Sequence, residues 1–292
     1  MAERAKKQNR RISVYGMLKY LDVSRSGYRA WLHHKPSKQE LRRENLKKRI
    51  REKHQESKEI YGAPKITQEL RKEGERISER TVGKYMRDMG IKAVWAKHWT
   101  VTTKDSDFSH KLRNYLAENF NPDRPNAVWC TDITYIWTDD GFVYLTSVMD
   151  LYGRRIIAWT LSKTMEVKYV VETIEKAKQR RSVTQPLIIH SDRGSQYVSE
   201  EFRRVTAGMK NSYSKKAYPW DNACIESFHS LIKREWLSQF KIHDYNHARS
   251  LVFEYIESFY NTVRIHSHCN YMSPAEFEKL YQKTLQGKLK IA

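Results

Sequence analysis

The sequence predicts an α/β core preceded by all-helical modules, and three observations carry that prediction. Apolar, β-branched runs with period-two alternation are confined to residues 127–192 and are separated by turn signals. Helical periodicity with recognisable caps governs residues 12–90. The charge is strongly basic and uneven: 54 Lys and Arg face 34 Asp and Glu in 292 residues, a formal net charge of +20, and residues 1–120 hold 30 of the basic and 15 of the acidic side chains. A chain of this length is expected to form two or three units.

Val14, Met17, Leu18 and Leu21 keep helical spacing, and a second helix starts behind Ser24 as N-cap. The pair reads as a helix-turn-helix, or as two short helices that merely pack on each other. Residues 38–58 are almost entirely charged or Gln and predict a solvated helix or helical linker. A second helix-turn-helix pattern follows, with Pro64 in a first helical turn and Ser78 as N-cap behind Ile77. Lys, Trp and Thr then mix through residues 91–120 in a connector that suits either DNA stacking or a packed linker. The Pro/Asn/Asp cluster at 121–126 marks a boundary.

Beyond it, strands are expected over 127–137, 142–149 and 154–161, joined by Asp139-Asp-Gly and Tyr152-Gly turns as an antiparallel meander. A helix over 167–180 leads to the buried strand Pro186-Leu-Ile-Ile-His-Ser-Asp192.

Three acids stand out in this frame. Asp132 lies in Trp129-Cys-Thr-Asp-Ile-Thr-Tyr, where alternation puts it on one sheet face with Cys130 and Thr134. Asp192 ends its strand before Arg193-Gly-Ser, the place where α/β proteins set ligands. A bare carboxylate at either place costs several kcal/mol unless it is paired or neutralised. Glu226 lies at the edge of a helical stripe of Ile225, Phe228, Ile232 and Trp236, and Lys233 projects from the same face two turns on. Taken singly, each acid also reads as a turn, a cap or an ion pair. Asp221 reads as the cap of this helix, Glu235 as solvated on its far side, and Asp150 as a turn residue.

Two strand carboxylates and one helical carboxylate suit two hard divalent cations at a phosphoryl-transfer site, with oxygen ligands favouring magnesium. His243 with His247, and His266, His268 and Cys269, lack a full zinc ligand set. Cys130, Cys224 and Cys269 form no Cys-x-x-Cys pair, which argues against a disulfide framework or a zinc finger. The basic excess without an amphipathic anchor favours nucleic acid over a membrane surface, although a solvated Lys/Arg face accounts equally well for residues 41–52. Without a bilayer-length apolar stretch or a signal-peptide core, the expected location is cytoplasmic.

Together the motifs around Asp132, Asp192 and Glu226, with Lys233, resemble the second-frame (OrfB) transposases of the insertion-sequence-three family, whose catalytic core is similar to retroviral integrases and RNase H. Val23-Ser-Arg-Ser-Gly-Tyr, Tyr61-Gly-x-Pro-Lys-Ile, Tyr260-Asn-x-x-Arg264-x-His266 and Ser273-Pro274 extend the resemblance over nearly the whole chain. One spacing departs: 33 residues separate Asp192 from Glu226, slightly fewer than the family usually has, and we expect a trimmed loop around residues 208–218.

The resemblance implies an RNase H-like core, a mixed sheet flanked by helices, over residues 121–240. Helix-turn-helix-like modules would occupy 1–58, with the charged linker, and 59–120, with the connector; a helical tail would occupy 241–292. It implies a DDE transposase in which Asp132, Asp192 and Glu226 are at once catalytic and metal-binding. These would hold two Mg2+ ions, with Mn2+ as substitute. The chemistry would be cleavage at element ends and in-line attack of the freed 3′-hydroxyl. Arg25, Arg29, Lys65 and Lys233 are the expected DNA contacts. The implied partners are DNA, an upstream-frame protein or its frameshift fusion, and further copies of the chain on DNA, with no membrane. The competing reading is a DNA-binding regulatory or accessory subunit without its own catalysis. A retroelement integrase is disfavoured because its amino-terminal His/Cys module is missing.

Overall fold

The structure, a computed structural model, describes residues 13–94, 112–183, 185–215 and 219–289. The Trp95–Trp99 stretch of the connector and residues 216–218 of the expected loop lie outside them. The chain forms two compact units, residues 1–52 and 53–292.

In the first unit, α1 (Val14–Tyr20) and α2 (Arg25–Leu32) start as read. Ser13 and Ser24 accept from Gly16 and Gly27 N–H at 3.4 and 3.0 Å, satisfying donors that the first helical turn leaves unpaired. The long charged helix α3 (Lys38–Glu56) opens on a reciprocal capping box. There Ser37 N–H donates to Glu40 at 2.7 Å and Glu40 N–H to Ser37 Oγ at 3.2 Å. The boundary between the units falls inside this helix.

The second unit begins with α4 (Ala63–Lys72), carrying Pro64 in its first turn, and α5 (Glu79–Asp88), capped by Ser78. Ile66, Leu70, Val82 and Met86 are buried at helical spacing. Then comes a five-stranded sheet in the order β3-β2-β1-β4-β5. Its strands are β1 (Val128–Thr138), β2 (Gly141–Asp150), β3 (Arg155–Ser162), β4 (Ile188–Ser191) and β5 (Lys210–Tyr213). The first three form the expected antiparallel meander, whereas β4 runs parallel to β1 and β5 parallel to β4. The sheet is therefore mixed, with β1 in the middle. The fifth strand corrects the reading of 208–218 as only a trimmed loop: residues 210–213 pair with β4. Four residues are too few for alternation to declare a strand.

Helix α6 (Val167–Arg180) covers one sheet face, where Val170, Ile174 and Ala177 meet Trp129, Val148 and Ile189 in a buried core. Each Val or Ile among them removed from water contributes about 1.5–3 kcal/mol. A short α7 (Glu200–Val205), capped by Ser199, adds the buried Phe202. On the other face, α8 (Ala223–Glu235) lies against β1, and α9 (Tyr245–Phe253) also reaches that strand. A π-helical stretch (Glu254–Tyr260) continues α9, and α10 (Pro274–Leu289) closes the unit. Its wider turn brings Tyr255, Ile256, Phe259 and Tyr260 inward together.

Two polar readings change and a third holds. Asp221 does not cap α8; it sits in the preceding 3-10 turn, fully buried, and accepts from Lys215 N–H at 2.6 Å. Glu235 is not solvated: the tail covers it, and it accepts from Arg264 at 2.6 and 2.7 Å and from the Tyr255 hydroxyl at 2.8 Å. Helical phase alone could not show that a later segment covers that side. Asp150 is a loop anchor as read, accepting from Asn126 N–H at 2.8 Å and Tyr152 N–H at 3.1 Å. Among the described residues no helix is long and apolar enough to cross a membrane.

Candidate functional site

The sheet register brings the first two acids together. β1 and β4 pair as Val128 with Ile188, Trp129 with Ile189 and Cys130 with His190. The ladder ends there: Asp132 follows two residues further along β1, and Asp192 directly follows β4, at the carboxyl end where α/β proteins set ligands. The sequence places 59 residues between them; the pairing of β4 with β1 is what draws them near.

α8 supplies the third acid. Its buried stripe of Ile225, Phe228 and Ile232 fixes the helix on the sheet, and His229 Nδ1 lies 3.3 Å from Asp132 Oδ2. Glu226 is one turn earlier on the exposed edge. Its carboxyl is pushed up to about 7, chiefly by partial withdrawal from water and then by the facing charges of Asp132 and Asp192. Three carboxylates thus share one electrostatic neighbourhood. Among the described residues, however, no three His, Cys, Asp or Glu side chains already stand close enough together to enclose a metal ion.

Supporting groups surround the acids. Asp192 Oδ1 accepts from Gly194 N–H at 2.9 Å, and a Cβ on Gly194 would come within 3.0 Å of that oxygen. Tyr197 is buried with its hydroxyl 3.5 Å from Thr131 Oγ1, and burial together with the charges of Asp132 and Asp192 pushes its pKa up. His229 spans from Asp132 to Ser147 Oγ, at 3.3 Å on each side, and Ser147 is the residue opposite Asp132 on β2. Sequence reasoning missed His229; its signal was the position one helical turn after Glu226. Lys233 sits with its ammonium 4.3 Å from the Tyr135 ring centre. Burial lowers its pKa and Asp132 partly restores it.

The other expected DNA contacts separate. Arg25 and Arg29 are exposed on α2 of the first unit. Lys65 is half-buried on α4 against the Tyr61 ring, 4.9 Å away, and burial followed by the neighbouring Arg264 brings its pKa down to about 8. It is a packed cation rather than an exposed one, because the tail closes over that end of α4.

This fold defines an integrase-type core behind helical modules. Models described as an integrase core domain match residues 122–219 and 207–274, and one described as an HTH-like domain matches 40–99. The chain is 36% identical over 250 residues to the transposase for insertion sequence element IS904 of Lactococcus lactis, covering 85% of this chain and 99% of that protein. It is 32% identical over 276 residues to transposase InsF for insertion sequence IS3A of Escherichia coli, covering 93% and 96%. Among solved structures, the HTLV-2 integrase catalytic core in complex with magnesium aligns with 53% of this chain and 98% of that one, at 15% identity and a TM-score of 0.42. The chain belongs to the IS3 family of transposases. It is a DNA transposase and a DDE polynucleotidyl transferase, and the accessory-subunit reading is not favoured.

Proposed function

We propose that Asp132, Asp192 and Glu226 are the DDE triad of this transposase and together hold divalent cations, two Mg2+ with Mn2+ as substitute. The observation that carries this is the convergence of three carboxylates on one neighbourhood, where the charges of Asp132 and Asp192 add to the effect of burial in raising the pKa of Glu226. The donor set fits a hard cation: all oxygen, with no sulfur or imidazole required. Such ions would lower the pKa of an attacking hydroxyl or water and offset charge on the leaving oxygen.

The chain's own residues do the rest. His229 orients Asp132, and the Gly194 amide orients Asp192. Lys233 places its ammonium for a phosphate beside Asp132. Water at the element end cleaves a phosphodiester and frees a 3′-hydroxyl. That hydroxyl then attacks a second phosphodiester in line, its proton leaving as the new bond forms and the displaced 3′-oxygen departing, with no covalent protein–DNA intermediate. Arg25 and Arg29 contribute to DNA binding through the first unit, and Lys65 is left to packing. We further assign the chain to multimers on DNA that include an upstream-frame protein or its fusion, working in the bacterial cytoplasm.

The test is conversion of Asp132→Asn, Asp192→Asn and Glu226→Gln one at a time, assayed for strand joining on an element-end duplex with magnesium. Each should lose joining by at least about 1000-fold, the scale of removing a charge-stabilising group from a transition state, while duplex binding stays within a few-fold. One variant that still joins strands would remove that residue from the triad.

A further inference from the structure

The sheet carries an aromatic surface that the chemistry above does not use. β4 pairs with β1 only through Val128–Cys130, so β1 has an open edge from Thr131 onward beside Asp132. Past the part of the sheet that α6 covers, Tyr135, Trp137 and Phe142 rise from one face, with Trp137 directly opposite Phe142 in the register. Phe142 stands edge-on between the other two, its ring centre 5.3 Å from Tyr135 and 4.8 Å from Trp137. The rings remain 37, 63 and 48% exposed in the order Tyr135, Trp137, Phe142. Cross-strand aromatic packing would stabilise the hairpin end, but it does not call for a tryptophan left almost two-thirds in water.

We propose that Trp137 and Phe142, with Tyr135 at their inner end, form a stacking platform for an unpaired base of the DNA strand whose backbone lies at the three acids. This rests on the triad reading above. Lys233 of α8 sets its ammonium against the Tyr135 ring and also feels the charge of Asp132, so one cation ties the platform to the acidic cluster. Along β1 the platform begins roughly 10 Å and ends about 17 Å from Asp132, a span of a few nucleotides. At the hairpin tip, Asp139 is held by Lys241 at 3.5 Å and His243 at 3.0 Å. Asp140 beside it would repel a phosphate, which leaves a base as the DNA group suited to these rings. Every base has a π-face, so the platform needs no sequence preference, and stacking works only where a base is out of its duplex.

The test compares the full chain with a Trp137→Ala, Phe142→Ala double variant, binding a 20-nucleotide single strand and a 20-base-pair duplex of the same sequence in EDTA at fixed salt. Single-strand affinity should fall about 5- to 100-fold, as expected for loss of one stacked base. Duplex affinity should stay within about twofold and the salt slope should not change, since no phosphate contact is lost. Trp137→Phe, which keeps a ring, should retain most of the single-strand affinity and serves as the folding control. Unchanged single-strand affinity would overturn the proposal. So would an equal loss on the duplex, or a shift in sedimentation toward monomer, which would mark the surface as a contact between copies. The assay needs no catalysis, so failure of the triad reading shows separately, as strand joining that survives the acid substitutions.

Discussion

At the residue scale, the site depends on side chains that hold the carboxylates. His229 bridges Asp132 and Ser147. His229→Ala should lower the joining rate about 10- to 100-fold, the usual effect of removing a group that orients a ligand. His229→Gln, which retains a donor, should recover part of it, and DNA affinity should not move. Gly194 is equally specific. A methyl there would crowd Asp192 Oδ1 at 3.0 Å and Gln196 Oε1 at 3.2 Å. Gly194→Ala should therefore reduce joining while the thermal melting temperature stays within a few degrees, because the crowded atoms are site atoms rather than core atoms.

At the element scale, the π-helical turn attaches the tail to the sheet. Asn261, just after it, accepts from Ile156 N–H at 3.0 Å and donates to Ile156 C=O at 2.9 Å, so its amide acts as a strand partner on the outer edge of β3. The β2–β3 register shifts beside this point, between Val148 and Met149. Asn261→Ala would leave two buried backbone groups unpaired and should cost about 2–4 kcal/mol in urea unfolding. The Glu235–Arg264 pair does similar work between α8 and the tail, and Tyr255 and Lys65 are held around it. The motif Tyr260-Asn-x-x-Arg264 is thus explained by packing, not by chemistry at the acids.

At the scale of the whole molecule, two consequences can be measured. His266 is neutral in the fold: burial, then Arg264 and Arg154, bring its pKa down to about 3. Unfolded, it titrates near its ordinary 6.5, so below that pH the unfolded chain binds the extra proton. Its contribution is fully present above pH 6.5 and is lost as pH falls toward 3. The free energy of urea unfolding at pH 7.5 and at pH 4.5 should differ by up to about 3 kcal/mol from this residue, and His266→Gln should remove that part of the difference. The first unit acts instead through charge. Replacing Arg25 and Arg29 by Gln should reduce the slope of log affinity against log salt by about 2 if both meet phosphates; an unchanged slope would free both from DNA contact.

Much of the fold was legible along the chain because its signals are local. The caps at Ser24 and Ser78, the helix over Val167–Arg180, the meander and the stripe of α8 all follow from periodicity and turn chemistry within a few residues. So does the candidacy of Asp132, Asp192 and Glu226, as charges set into or beside apolar segments. What the sequence by itself determined was therefore which elements exist and which acids demand a partner. Tertiary structure alone decided the rest: β5 as a strand, Glu235 and Lys65 as packed charges, Asp221 as a buried loop anchor, and His229 as the brace of Asp132. Most depend on a neighbour distant in sequence, whether β4, the tail or β2, and burial belongs to the assembled neighbours rather than to the local period of a segment.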